Sequence, residues 1–266
     1  MHYYVMTSRL NPDALKLSIA ALGFSKEDTL IIANNILSKK VLLLALSGKL
    51  ASGKDSLALE AMNSLGFKDA IHVYFGDSIK GEVDQIISLI LSNEFTQEQY
   101  INLVQEEQGV VSPYITEIVE LLTTEKVKLT LNSARDRSPS MRRVLQLWGT
   151  EVRREQDALY WVNKTLKSAL SWVCLGKSVY LTDARFPNEV APAQSVGFIV
   201  ARVEITPQTQ ASRLLSRDGI PVDNKAINHS SEVALDGYEG FDITIDNNGN
   251  FAQSLDDLTL AIGKLQ

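Results

Sequence analysis

The sequence predicts an α/β fold built on a five-stranded, largely parallel sheet flanked by helices. Short apolar runs alternate along the chain with longer stretches of helical periodicity. The first run, Val41–Leu46, is apolar without interruption, as a strand covered on both faces must be. Roughly 100 residues between the second and third runs hold helix candidates only, which is too long for a simple crossover and predicts a helical insertion.

Taken in order, residues 1–40 form an N-terminal helical extension with helices at Pro12–Leu22 and Ser25–Ser38, and residues 41–266 form the main domain. Strand Val41–Leu46 leads into helix Lys54–Leu65, and a second strand follows at Ile71–Phe75. The insertion, 76–177, carries helices at Ser78–Leu91, Pro139–Trp148 and Asp157–Val173. In the last of these Leu159, Val162, Leu166, Ala169, Leu170 and Val173 recur at three- and four-residue spacing. Strands follow at Ser178–Asp183, Phe198–Ile205 and Phe241–Asp246. Residues 206–230, rich in Pro, Asp, Asn, Lys and Arg, read as a mobile excursion before the last strand.

Composition narrows the function classes. With 266 residues, 45% hydrophobic and 22% charged, the chain is long enough for a substantial core and is not generally disordered. Lys plus Arg number 26 and Asp plus Glu 32, a net charge of −6. That balance argues against nucleic acid as the main partner, because phosphate neutralisation dominates such affinity. A small phosphorylated ligand needs only a local cationic pocket. One cysteine, Cys174, excludes a disulfide framework and a cysteine-rich zinc site. No spanning or secretory segment is evident, so no membrane partner and a cytoplasmic location are expected.

The most informative stretch is Ser47-Gly48-Lys49-Leu50-Ala51-Ser52-Gly53-Lys54-Asp55-Ser56. It has the spacing G-x-x-x-x-G-K, after an apolar strand and before a helix, which is the context a phosphate-binding loop requires. Gly48 and Gly53 are expected to supply backbone angles closed to other residues, so that the loop's N–H groups form an anion nest reinforced by the helix N-terminus. Lys54 supplies a point charge for the β- and γ-phosphates. Where the usual motif has Ser or Thr as a magnesium ligand, this chain has Asp55, followed by Ser56. Asp55 either caps the helix, holds Mg2+ directly or through water, or helps activate an acceptor.

A second signal is Tyr180-Leu181-Thr182-Asp183-Ala184-Arg185-Phe186-Pro187. Asp183 ends an apolar strand at the sheet edge where ligands of α/β proteins bind. It reads as an aspartate orienting magnesium, or as a helix cap before Pro187.

These residues resemble bacteriophage deoxynucleoside monophosphate kinases, whose phosphate loop carries the same Gly-Lys-Asp variant. Further matches fall in order: Phe75-Gly-Asp-Ser-Ile-Lys80; Met141–Arg154 with its Gly149-Thr150-Glu151; Tyr160-Trp161-Val162; Asp183–Glu189; His229-Ser-Ser-Glu232; and Phe241–Gly249. The resemblance covers about 41–260 and leaves residues 1–40 without a counterpart. It implies a nucleoside monophosphate kinase-like fold with five parallel core strands, a helical monophosphate-binding region at 76–177 and a lid at 206–230. It also implies transfer of the γ-phosphoryl of ATP to deoxynucleoside monophosphates with Mg2+.

Under that resemblance the catalytic set is Lys54, Asp55, Asp183, Arg213 and Arg217. Arg213 and Arg217, four apart, are either lid arginines that close over the phosphates or a solvated basic face. ATP would meet Gly48, Lys49, Ser52, Gly53, Lys54, Asp55, Ser56, Asn248 and Gly249, and the metal would meet Asp55, Ser56 and Asp183. The monophosphate would meet Lys80, Arg142, Arg143, Gln146, Thr150, Glu151, Arg154, Trp161 and Arg185. Arginine suits this work because its planar fork contacts two phosphate oxygens at once. Arg142 and Arg143 are adjacent and cannot share a helix face, so one is expected on phosphate and the other on a carboxylate or in solvent. Trp148 or Trp161 stacks on the base or belongs to the core. Lys80 either reaches phosphate or is an exposed helix lysine. His229 is a lid or switch candidate, His72 a structural residue and Cys174 a packed one. Two alternatives stay open: a kinase of another small phosphorylated metabolite, as in phosphomevalonate kinase with its Gly-Lys-Asp loop, and a non-kinase nucleotide-gated binding protein. The extension 1–40 is expected either to pack on the core or to form a homodimer contact.

Overall fold

The computed structural model describes residues 10–124, 129–130, 133–136, 138–218 and 230–266. Its sheet comprises β1 (Leu43–Gly48), β2 (Ile71–Val73), β3 (Val179–Ala184), β4 (Ile199–Glu204) and β5 (Ile243–Asp246), in the order β2-β3-β1-β4-β5. Every neighbouring pair is parallel. The apolar first strand is therefore the central one, buried on both faces as its sequence requires. It runs two residues further than predicted, through Gly48, because β4 still offers Val203 as a partner there. β2 is shorter than predicted: it pairs only with β3, over Ile71–Val73, and Phe75 already opens a helix.

The chain divides into two compact units, one of residues 1–74 with 165–266 and the other of residues 75–164. In the first, α3 (Lys54–Ser64) and α12 (Phe251–Leu265) cover one sheet face. Leu57, Ala61, Leu258 and Ile262 belong to one core with Leu44, Leu46, Val203 and Ile245. Leu43 and Ala45, at the alternate positions of β1, are equally buried. The described part of the N-terminal extension belongs to this unit. Its α1 (Pro12–Ala21) begins with proline in the first turn and the Asn11 side chain capping Asp13 and Ala14 N–H groups. It packs on α2 (Lys26–Leu37) and on α9 (Pro187–Ser195), with Leu15, Ile19 and Ile32 fully buried. The segment 206–230 does not begin as an irregular excursion. It opens with a 12-residue helix, α10 (Pro207–Asp218), that buries Gln210 and Leu214. Its later part, with His229, lies outside the described residues apart from the short α11 (Ser230–Val233).

The second unit is helical: α4 (Phe75–Leu91), α5 (Gln97–Gln108), α6 (Tyr114–Thr124), α7 (Pro139–Gln146), a π-helix (Leu147–Arg154), and the first residues of α8 (Tyr160–Cys174). Its core includes Ile86, Val104, Ile118, Val144, Trp148 and Trp161. The predicted helix Pro139–Trp148 instead ends at Gln146, where the backbone widens into the π-helix. Gly149 in that turn packs so closely that a Cβ would sit 3.2 Å from Ile79 Cδ1. Its carbonyl accepts the Trp161 indole N–H at 2.8 Å.

Candidate active site

The loop 48–56 lies at the carboxyl end of the central strand and runs into the N-terminus of α3. The two glycines of the motif are needed for different reasons. Gly53 has φ +83 and sits at the N-cap of α3. Gly48 is not in the left-handed region; it is glycine for space, since a Cβ would meet Ser52 Oγ at 2.5 Å and the Val203 carbonyl at 2.9 Å. The other left-handed residue of the loop is Ala51, at φ +62. Lys54 is buried, its Nζ 3.5 Å from Asp55 Oδ2.

A ring of side chains fixes the loop's path. Glu232, itself buried, accepts the Leu50 N–H at 2.6 Å. Gln210 donates to the Leu50 carbonyl at 3.0 Å. Arg213 donates to the carbonyls of Ala51 and Ser52, each at 3.3 Å. Asn247 donates through Nδ2 to the Ser52 carbonyl at 2.7 Å. With its carbonyls bound from outside, the loop keeps one shape, the condition for presenting amides to an anion. Two atoms there, Ser52 Oγ and Asn247 Oδ1, are buried without a protein partner. Lys49 forms an ion pair with Asp236 at 2.8 Å, a carboxylate that it shares with Arg202 at 3.4 Å. Arg202, beneath the loop, donates to Ser47 Oγ at 2.9 Å. Arg185 pairs with the same Glu232 that holds Leu50.

Asp55 is held in a different way. Its Oδ1 accepts the Thr182 hydroxyl at 2.6 Å, and Thr182 Oγ1 is 2.9 Å from His72 Nε2. His72 Nδ1 is in turn 2.9 Å from the Tyr74 hydroxyl. Partial burial pushes the Asp55 carboxyl up, but the Thr182 hydrogen bond and the Lys54 charge outweigh it and hold Asp55 below the usual carboxylate range. The side chain remains 62% exposed. Next to Thr182, Asp183 is half-buried. Here β3 carries one extra residue against β1: Ala45 pairs with Leu181 and Ser47 with Ala184, leaving Thr182 and Asp183 opposite the single Leu46. Such bulges re-aim side chains and recur beside active sites. Ser56 is exposed on the first turn of α3.

Asn248, in the loop after β5, accepts from the Thr206 N–H at 2.7 Å and donates to Asp246 at 2.7 Å. Gly249 beside it is exposed, with open space where a Cβ would lie. Arg217 is exposed one turn beyond Arg213 on α10.

Within the helical unit, Arg143 makes a bidentate pair with Glu117, at 2.8 and 3.1 Å, which assigns it the carboxylate role of the Arg142–Arg143 pair. Arg142, Gln146 and Thr150 are exposed; Glu151 and Arg154 are half-buried. Lys80 pairs with Asp77 at 3.1 Å. Trp161, a candidate for base stacking, is core instead: it is 2% exposed and its indole N–H is spent on Gly149. Trp148 is likewise fully buried.

The largest polar assembly of this unit was not singled out by sequence. Glu82, 3% exposed, accepts from Trp148 Nε1 and Arg153 Nε, each at 2.9 Å, and from the Tyr160 hydroxyl and Lys164. The Arg153 guanidinium lies over the rings of Trp148 and Tyr160, 4.8 and 4.7 Å from their centroids. Burial and Glu82 together push the Tyr160 phenol up to about 12. This assembly ties the π-helix to α4 and α8.

No known family model matches the chain, and no curated protein matches it. The site's donors can be compared with what a hard divalent cation takes. Among the described residues no three His, Cys, Asp or Glu side chains form a metal cage. Mg2+ does not need one, since it keeps several waters and is held by one or two carboxylates together with substrate phosphates. An exposed Asp55 carboxylate beside loop 48–56, held below the usual carboxylate range, suits that requirement. No helix among the described residues is long and apolar enough to cross a membrane.

Proposed function

We propose that the chain is a P-loop kinase that transfers the γ-phosphoryl group of ATP to a deoxynucleoside 5′-monophosphate, giving the diphosphate and ADP. The observation that carries this is the externally braced loop 48–56 at the end of the central strand, with the buried Lys54 at its exit. The five-stranded, all-parallel sheet flanked by helices is compatible with it, and the Gly-Lys-Asp resemblance supports it. Phosphoryl transfer asks for positioning and charge compensation rather than covalent catalysis. In this reading the loop amides other than those of Leu50 and Ser52, which are bonded to Glu232 and to the Lys49 carbonyl, bind the donor phosphates with the α3 N-terminus, and Lys54 offsets charge on the β,γ bridge. Arg213 keeps the loop in shape from outside, and Arg217, one turn further along α10, is proposed to approach the phosphates. Mg2+, held through Asp55 with Ser56 and Asp183 as further oxygen donors, would supply charge neutralisation of the donor phosphates. Arg142 and Arg154 are the proposed sources of cation for the acceptor phosphate, Arg185 being paired with Glu232, and Gln146, Thr150 and Glu151 the proposed contacts to base and sugar.

The test is ADP release from ATP across all deoxy- and ribonucleoside monophosphates and mevalonate phosphate. Turnover with at least one deoxynucleotide supports the reading. Turnover with mevalonate phosphate alone would move the chain to the other kinase class. Activity with none of them, joined to DNA-stimulated ATP hydrolysis, would replace the kinase reading altogether.

A further inference from the structure

We infer that Thr182 and His72 are positioning residues for Asp55: they occupy one carboxylate oxygen so that the other is presented to a divalent cation. This rests on the phosphate-loop reading above and adds to it a device in residues outside the loop motif. Proton counting fixes the direction of the chain. Thr182 has one hydroxyl proton, and an ionised carboxylate can only accept, so that proton lies on the 2.6 Å bond to Asp55 Oδ1. The Thr182 oxygen therefore accepts from His72, which places the ring proton on Nε2. The other ring nitrogen, Nδ1, lies 2.9 Å from the Tyr74 hydroxyl. The Thr182 and His72 donors both point toward Asp55.

The ring itself is fixed. His72 and Tyr180 are register partners on β2 and β3 and stack with centroids 4.1 Å apart at 20°. Tyr74 lies against the ring at 3.9 Å. His72 with Tyr74, and Tyr180 with Thr182, are each two residues apart, so the alternation of a strand brings all four together. The device answers a problem specific to this loop. A Ser or Thr after the lysine offers a metal one oxygen on a short side chain. An aspartate offers two, on a longer side chain. With Oδ1 held by Thr182, Oδ2 is the oxygen that meets a cation, and it is the one that Lys54 Nζ approaches at 3.5 Å.

The experiment measures ADP binding to the full chain by calorimetry, with Mg2+ and with EDTA, and Mn2+ binding in the presence of ADP by electron paramagnetic resonance. In Thr182→Val and in His72→Leu, ADP binding in EDTA should match the parent. The gain from Mg2+, and the Mn2+ affinity, should fall roughly 10–100-fold, as for other residues that orient a metal ligand. Thr182→Ser, which keeps the hydroxyl, and His72→Gln, which keeps a nitrogen donor near Nε2, should recover most of the loss. An unchanged metal gain in both Thr182→Val and His72→Leu would overturn the inference alone, as would failure of Thr182→Ser to recover it. A parent chain that binds no ADP in either buffer would overturn the phosphate-loop reading, and this inference with it.

Discussion

The Arg213 guanidinium donates to the main-chain carbonyl of Asn247 at 2.6 Å. The same arginine reaches the carbonyls of Ala51 and Ser52, and the Asn247 side chain reaches Ser52. Arg213, which the resemblance places in a lid, thus links loop 48–56 to the β5–α12 connection.

Removing that brace should loosen the loop before it touches chemistry. Hydrogen bonds to a charged group are worth about 1.5–3 kcal/mol. Arg213→Ala should therefore weaken ADP binding by roughly 10–100-fold. It should also speed hydrogen exchange at loop amides. Equal exchange in parent and Arg213→Ala would show that the brace is redundant.

Lys54→Ala removes the cation at the exit of the loop. Turnover should fall by orders of magnitude, with the far-ultraviolet circular dichroism spectrum retained. Near-normal kcat in a folded variant would remove Lys54 from the mechanism.

Gly53→Ala has two costs. The left-handed backbone at φ +83 penalises any Cβ by about 1–2 kcal/mol. The new methyl would also stand 2.7 Å from Asn247 Nδ2. Thermal melts should show a clear loss of Tm, and Gly53→Ala combined with Asn247→Gly should still show the backbone part of it. A Gly53→Ala melt identical to the parent would sink this account of the loop.

Glu82 gives the helical unit an acid-sensitive tie. Burial alone would push its carboxyl up, but hydrogen bonds from Lys164 and Tyr160, with the Arg153 charge, hold it below the usual value of 4.5. The folded state thus binds that proton less readily than the unfolded state. Its stabilisation is complete above about pH 4.5 and is lost as pH falls from there through the lowered folded value. Glu82→Gln leaves Arg153 buried without its counter-charge and should cost about 3–5 kcal/mol at neutral pH. In urea titrations the gap between parent and variant should narrow below pH 4.5; a gap that is constant with pH would contradict the ion pair.

The parts legible in the sequence are those with local signatures. Short apolar runs revealed all five strands, and the spacing of Gly48, Gly53 and Lys54 located the loop. What stayed hidden depends on contacts between distant segments. Thr182 meets Asp55 across 127 positions and His72 across 110, and nothing in either neighbourhood marks a threonine as the partner of an aspartate. The only local hint was the two-residue alternation of His72 with Tyr74 and of Tyr180 with Thr182. Glu82 was missed because a glutamate on an amphipathic helix normally faces water; its burial depends on Arg153 across 71 positions. Arg154 drew notice instead, since helical periodicity cannot say which arginine of a pair turns inward once the backbone widens into a π-helix.

The lengths of the outer strands bear on how copies of the chain can associate. β2 has three residues and β5 has four, against six in each of the strands between them. A rim so short exposes few unpaired amides and carbonyls to a neighbouring chain, which disfavours growth of the sheet by strand addition. A variant that lengthens β2 or β5 with β-branched residues would be the one to invite fibrous aggregation.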